Sequence, residues 1–184
     1  MRNRRSVRKY KKQQIPIKEI LQVLEAGRLA PSGANQQPWT YILVTDDELK
    51  QEIRKEAETV EKDFHCKAPK TLKKWLEKQG ITHQKEFLTE ASALIVVAGY
   101  IKAPYWLEST WISIAYVLLQ AESQGFGTLT YTPSDTRFLN RLVKIPKDYQ
   151  PVAIIPIGYP AEKLSPETRP RKPLETIIQK IGTA

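Results

Sequence analysis

The residues best placed to do chemistry lie at the N-terminus, where Arg4, Arg5 and Arg8 enclose Ser6 and Val7 within five positions. In an ordered strand or turn this sets guanidinium forks beside a hydroxyl, a grip suited to phosphate. A solvated basic arm and a nucleic-acid arm are the competing readings of the same residues. A second set is Pro31-Ser32-Gly33-Ala34-Asn35-Gln36-Gln37-Pro38-Trp39. Ser32 can donate or accept, Gly33 lets backbone approach a planar ligand, and Asn35 and Gln37 carry paired donors and acceptors suited to a heteroaromatic edge. Turn chemistry alone also explains much of this loop. A third set, Gly125-Phe126-Gly127-Thr128-Leu129-Thr130-Tyr131-Thr132-Pro133, lines a strand with hydroxyls, although threonine is also simply a good strand former. The fourth is the basic cluster Arg169-Pro170-Arg171-Lys172-Pro173.

Composition narrows the options. Cys66 is the one cysteine, so no disulfide forms within the chain, and His65 and His83 cannot build a usual zinc cage. Redox chemistry would therefore need a borrowed electron carrier. Net charge is +9, and the first twelve residues hold seven basic side chains and no acid. The expected partner is an anion: nucleic acid, a membrane surface or a phosphorylated cofactor. No window of about 18 apolar residues could span a bilayer. The basic start is not followed by an apolar leader core, so a cytoplasmic protein without a membrane partner is expected. With 184 residues and 41% hydrophobic content, residues 1–184 are expected to form a single domain.

The elements that must position these residues follow from periodicity. Ile17, Ile20, Leu21 and Leu24 recur at helical spacing within residues 15–30, with Pro16 suited to a first turn and Pro31 ending the run. Residues 40–45 (TYILVT) read as a strand, after which Asp46 offers an N-cap to a helix carrying Leu49, Ile53, Ala57 and Val60. Residues 62–90 are polar and basic, broken by Pro69 and Gly80. Their weak periodicity at Leu72, Trp75 and Leu76 supports one short helix in a mobile excursion or lid. Residues 93–100 (ALIVVAGY) suit a buried central strand, and residues 106–123 an apolar core or interface helix stopped at Gly125. Residues 128–132 read as a short strand, residues 135–143 as a helix and residues 151–159 as a strand whose Pro156 suggests an edge or bulge. Pro160, Pro166, Pro170 and Pro173 predict an extended tail, about 160–184, ending in a short helix over residues 174–181. Strands and helices interleave as an α+β arrangement without internal repeats.

Taken in order, the four segments resemble the FMN-dependent nitroreductase superfamily, in which an RRSxR-type start, a PSGxNxQPW loop, a GxG-threonine segment and a basic tail succeed one another. The resemblance extends to its iodotyrosine deiodinase branch through the RRSVR, PSGA, GYP and RKPL stretches, with TYTP standing where that branch has TTTP. It implies a nitroreductase-like fold, a central mainly antiparallel sheet flanked by helices, in an intertwined homodimer. It also implies FMN held by Arg4, Arg5, Ser6, Val7, Arg8, Ser32, Gly33, Asn35, Thr130, Tyr131, Thr132 and Arg171. Thr132 would tune the flavin through its reactive nitrogen, and Ala34 would line the substrate side.

Deiodinases close a lid in which a glutamate, a tyrosine and a lysine hold the halotyrosine zwitterion. The matching lid is about 56–90, with Glu61 and Lys85 as the charged members. The tyrosine position falls on Phe64 or His65, so one hydrogen-bonding member is missing. The implied activity is ping-pong electron transfer from NAD(P)H through FMN to a small acceptor such as a nitroaromatic, quinone or flavin. Reductive dehalogenation of halotyrosines is the alternative. A basic nucleic-acid module is the third reading, opposed by the lack of aromatics interleaved with the basic clusters apart from Tyr10, so nucleic acid is not an expected partner.

Overall fold

The computed structural model describes residues 4–161 and 171–182. The apolar runs become strands β1 (Trp39–Val44), β2 (Ala93–Tyr100), β3 (Gly127–Thr128) and β4 (Tyr149–Gly158), ordered β1-β2-β4-β3 with every neighbouring pair antiparallel. Alternate residues point to opposite faces. Leu94, Val96 and Ile154 enter one core, while Ala93, Ile95, Val97, Ile155 and Ile157 enter the other. Strand β2 is covered on both faces, which is why it reads as an unbroken apolar run. Each such buried aliphatic side chain contributes about 1.5–3 kcal/mol.

The helices are α1 (Ile17–Arg28), α2 (Asp47–Lys67), α3 (Lys70–Lys78), α4 (Phe87–Glu90), α5 (Trp106–Ser123) and α6 (Arg137–Leu142). Helices α1 and α5 cover one face of the sheet, and α2, α4 and α6 the other. The Asp46 side chain caps α2 by accepting from the Leu49 N–H at 2.7 Å. Gly125, at φ +80°, ends α5 in a Schellman turn: the Phe126 N–H reaches Ala121 O at 2.9 Å and the Gly125 N–H reaches Glu122 O at 3.1 Å. Where α1 meets α5, a Cβ on Gly27 would collide with the Tyr41 hydroxyl, and Gly27 O accepts from Ser113 Oγ at 2.9 Å. The first half of α5 is inverted: it buries Ser109, Thr110 and Ser113 while exposing Leu107, Trp111, Ile112 and Tyr116.

The N-terminal segment docks on the sheet. Ser6 forms a parallel bridge with Thr128, the Val7 N–H donates to Thr128 O at 2.9 Å, and the Lys11 N–H donates to Tyr159 O at 2.9 Å. Gly127 and Gly158 make room for it, since a Cβ there would lie 2.7 Å from Val7 and 2.6 Å from Tyr10.

Four sequence expectations change. Residues 128–132 are not one strand: β3 stops at Thr128, and Tyr131 rejoins β4 as a single bridge to Ile154. Pro156 sits in an inner strand, not at an edge. It lies on the same side of β4 as Ile154, opposite the bow of Leu129 and Thr130, where no ladder N–H is needed; its carbonyl accepts from the Tyr10 hydroxyl at 3.3 Å. Residues 62–67 are helical, because α2 continues to Lys67 and buries Ala57 and Glu61. In the tail, a 3₁₀ turn at Leu174–Thr176 replaces the expected helix, since Leu174, Ile177, Ile178 and Ile181 stay exposed, with no apolar face packed on the other described residues. Pro166, Arg169 and Pro170 lie outside the described residues.

Candidate active site

Beside the bow between β3 and the Tyr131 bridge lies a cavity of about 490 Å³, within the range of small-molecule sites. The docked N-terminus brings Ser6 and Arg8 to it, the bow brings Thr130, Tyr131 and Thr132, and α2 and the segment before α4 bring Glu61 and Lys85. The cavity thus unites part of the expected phosphate grip with both charged members of the expected lid.

Glu61 and Lys85 are 24 positions apart and belong to separate segments, yet they form an ion pair, Lys85 Nζ to Glu61 Oε2 at 3.6 Å. Both are buried, at 8% and 5% exposure, which makes them unusual for charged side chains. Each is held by backbone: Glu61 Oε1 accepts from the Ser134 N–H at 3.0 Å, and Lys85 Nζ donates to Thr82 O. Glu58 fixes the chain at Lys85 by accepting its N–H at 2.8 Å while pairing with Arg54 at 2.7 Å. Burial works against ionisation of Glu58, but the Lys85 N–H and Arg54 outweigh it and hold its carboxyl below the usual range. Burial lowers the proton affinity of the Lys85 ammonium, an effect Glu61 opposes only in part. Tyr131 is raised, by burial first and then by the neighbouring Glu61 carboxylate.

The other expected flavin contacts divide. Arg4 and Arg5 are half-buried next to the cavity-lining Ser6, and Arg5 Nη1 donates to Arg4 O at 2.8 Å. Val7 points into the core, and its N–H and carbonyl are engaged by Thr128 O and the Tyr10 hydroxyl. Ser32, Gly33, Ala34 and Asn35 stand elsewhere, packed at the start of α5 on the opposite face of the sheet. That loop is preset: Ser32 Oγ accepts from the Gln37 N–H at 2.9 Å and Ser109 Oγ from the Gly33 N–H at 3.2 Å. Ala34, Asn35 and Gln37 take φ of 48°, 53° and 46°, a concentration of left-handed residues typical of ligand-binding loops. Arg171 is exposed and does not line the cavity.

Phe64 also stays out of the cavity. It is 40% exposed and edge-on to His65, which in turn faces His83. The sequence reading missed the supporting groups Glu58, Arg54 and Ser134, which carry no motif. It also missed the placement of the Tyr131 phenol beside Glu61.

The Arg8 guanidinium and the Ser6, Thr130 and Thr132 hydroxyls among the lining residues suit a phosphorylated cofactor, and the buried Glu61 and Lys85 suit a ligand carrying both charges. The donor chemistry therefore fits FMN, while the loop from Ser32 to Asn35 packs against α5 and does not line this cavity.

Comparison with known proteins agrees with this geometry. Residues 1–159 match the family model described as the nitroreductase family. An iodotyrosine deiodinase of Thermotoga neapolitana is 36% identical over 182 residues, covering 99% of this chain and 95% of the relative. A crystal structure of oxidized iodotyrosine deiodinase bound to FMN and 3-iodo-L-tyrosine superposes with a TM-score of 0.87 at 36% identity, covering 99% of this chain and 96% of that one. A putative NADH dehydrogenase/NAD(P)H nitroreductase from Parabacteroides distasonis aligns at a TM-score of 0.73 and 26% identity over 98% and 95% of the two chains. With a cavity that joins the N-terminal arginine segment to the threonine-rich turn, and with these similarities spanning nearly its whole length, the chain belongs to the nitroreductase family and is an oxidoreductase.

Proposed function

We propose that this protein is an FMN-dependent reductive dehalogenase of halogenated tyrosine-like amino acids, working as a homodimer with residues 1–184 acting as one unit. The observation that carries the reading is the buried Glu61–Lys85 pair facing the cavity. Two opposite charges in a wall, each tied to backbone, are an arrangement for a zwitterion: the carboxylate takes an ammonium and the ammonium a carboxylate.

In this reading FMN supplies the electron-carrier chemistry when bound. Arg4, Arg5, Ser6 and Arg8 hold its phosphate end, joined by Arg171, with Val7 shaping the segment behind them. Thr130, Tyr131 and Thr132 would border its ring, and the hydroxyl of Thr132, an exposed residue lining the cavity, would tune it by hydrogen bonding. Ser32, Gly33, Ala34 and Asn35 of a second copy complete the site, which accounts for their place on the far face. The exposed apolar stripe of α5, with Ile17 and Leu21 of α1, is the surface for that second copy. NAD(P)H is the proposed electron donor, and the net change is replacement of an aryl carbon–halogen bond by carbon–hydrogen, with halide leaving. No described helix is long and apolar enough to cross a membrane; a cytoplasmic setting belongs to this proposal.

The test is iodide release. Purified protein reconstituted with FMN is expected to be yellow and, under anaerobic dithionite, to liberate iodide from 3-iodotyrosine. A yellow protein that releases none, yet turns over nitroaromatics or quinones with NAD(P)H, would replace this reading with that of a general NAD(P)H oxidoreductase. That second reading is favoured by Phe64, which puts no hydroxyl at its lid position.

A further inference from the structure

Tyr131 is buried to 8% exposure, borders the cavity, and its hydroxyl has no hydrogen-bond partner among the described residues. Its ring is fixed edge-on to Phe87, with centroids 5.5 Å apart, and lies under the Lys85 ammonium, 5.8 Å from Nζ to the ring centroid. Glu61 is the neighbouring group that acts on this hydroxyl through its charge, but it makes no hydrogen bond to it within 3.5 Å; the Glu61 oxygens face the Ser134 N–H and the Lys85 ammonium, and Lys85 is held by Thr82 and Glu61. A buried donor left unmatched beside matched neighbours in a cavity wall is costly unless an incoming ligand completes it.

The lid offers no phenol of its own. Phe64 points outward, and His65 borders a different cavity with Cys66, Leu76 and His83.

We propose that Tyr131 supplies this missing contact from the cavity floor, donating its hydroxyl hydrogen to the carboxylate of a zwitterionic aromatic acceptor. This inference rests on the dehalogenase reading above and assigns it a third polar residue. In the ligand-free chain Glu61 and Lys85 neutralise each other; an entering amino acid exchanges their one ion pair for two, its ammonium on Glu61 and its carboxylate on Lys85. The carboxylate then has lone pairs to spare, and the Tyr131 hydroxyl is the adjacent unused donor. Because Tyr131 is bridged to β4, this contact is in place whatever α3 does.

The test compares the FMN-loaded protein with Tyr131→Phe, reading quenching of flavin fluorescence by 3-iodotyrosine and by 3-iodotyramine, which lacks the carboxylate. The variant is expected to bind 3-iodotyrosine about tenfold more weakly and 3-iodotyramine unchanged. Its ligand-free melting temperature should be equal or higher, because an unpaired buried hydroxyl is removed. An equal loss for both ligands would mean that Tyr131 acts only by holding Glu61, and would overturn the proposal. No loss for either, or a lowered melting temperature with unchanged binding, would overturn it too. If the unaltered FMN-loaded protein binds neither ligand, the dehalogenase reading itself fails, a result separate from the others.

Discussion

The cavity wall formed by Glu61, Lys85 and Tyr131 and the loop formed by Ser32, Gly33, Ala34 and Asn35 are both expected parts of one site, and they are built in opposite ways. The wall is complete within one chain, with buried charges and each carboxylate or ammonium tied to backbone. The loop is held to the start of α5 only through Gly33, keeps its strained backbone with an internal hydrogen bond, and leaves Ala34 and Asn35 exposed. On the proposed reading, the difference teaches that recognition of the acceptor's polar end is a property of the fold, whereas recognition of the cofactor is a property of the assembly.

The sharpest way to break this comparison is to prevent assembly. Trp111→Glu on the outward face of α5 is expected to give a folded monomer that loses FMN affinity by about a hundredfold or more, since the loop can no longer reach a second copy. Sedimentation and the visible spectrum read this directly; a yellow, tightly loaded monomer would return the loop to its own chain.

A smaller effect separates the two regions by pH. The ammonium of Lys85 has its proton affinity lowered from the ordinary 10.5, chiefly by burial, with Glu61, Glu58 and Glu86 opposing. Between the lowered value and 10.5 the folded chain carries fewer protons at this position than the unfolded one, so its contribution to stability rises with pH there. The grip on a carboxylate needs the charged form and is lost across the same window. Affinity for 3-iodotyrosine should therefore weaken by about tenfold per pH unit above the lowered value. FMN affinity should stay level, and Lys85→Arg should flatten the profile. A profile unaltered in that variant would assign the titration to the ligand.

The smallest expected effect is in the loop. Ala34→Gly relieves a left-handed residue but frees the unfolded chain, so the two nearly cancel and stability should shift by less than ~1 kcal/mol. FMN binding should nonetheless weaken, because the preset turn is loosened. Calorimetry beside a flavin titration distinguishes this from a loop with no ligand role, for which both would be unchanged.

How much of this could be read from residues varies with the physics of each segment. Strand β2 and helix α5 were legible to the residue, because burial on both faces and a glycine stop leave plain marks. The reach of α2 was not, since past Glu61 its last turns bury no side chain and show no apolar period. Lys50, 2% exposed and held by Ala91 O at 2.9 Å and Asp47 at 2.8 Å, has a residue type that ordinarily signals surface. In the candidate site, the order of motifs named Ser6, Arg8, Glu61, Lys85, Thr130, Tyr131 and Thr132, which border one cavity. The nearness of the Tyr131 phenol to Glu61 stayed hidden, because a tyrosine among threonines is also good strand chemistry and only the tertiary path brings the two together.

The docking of Ser6, Val7, Tyr10 and Lys11 against Thr128, Tyr159 and Pro160 also dictates an order of events during synthesis. These contacts join residues 6–11 to residues 128–160, far along the chain, so their loop-closure entropy must be met late, after β4 has formed. Until then Ser6 and Arg8 belong to an unpaired strand beside an open sheet edge, a stretch prone to pairing with the wrong neighbour. On the proposed reading, cofactor capture is thus a closing act of folding, and a truncated or stalled chain would retain its helices while having nowhere to seat a phosphate.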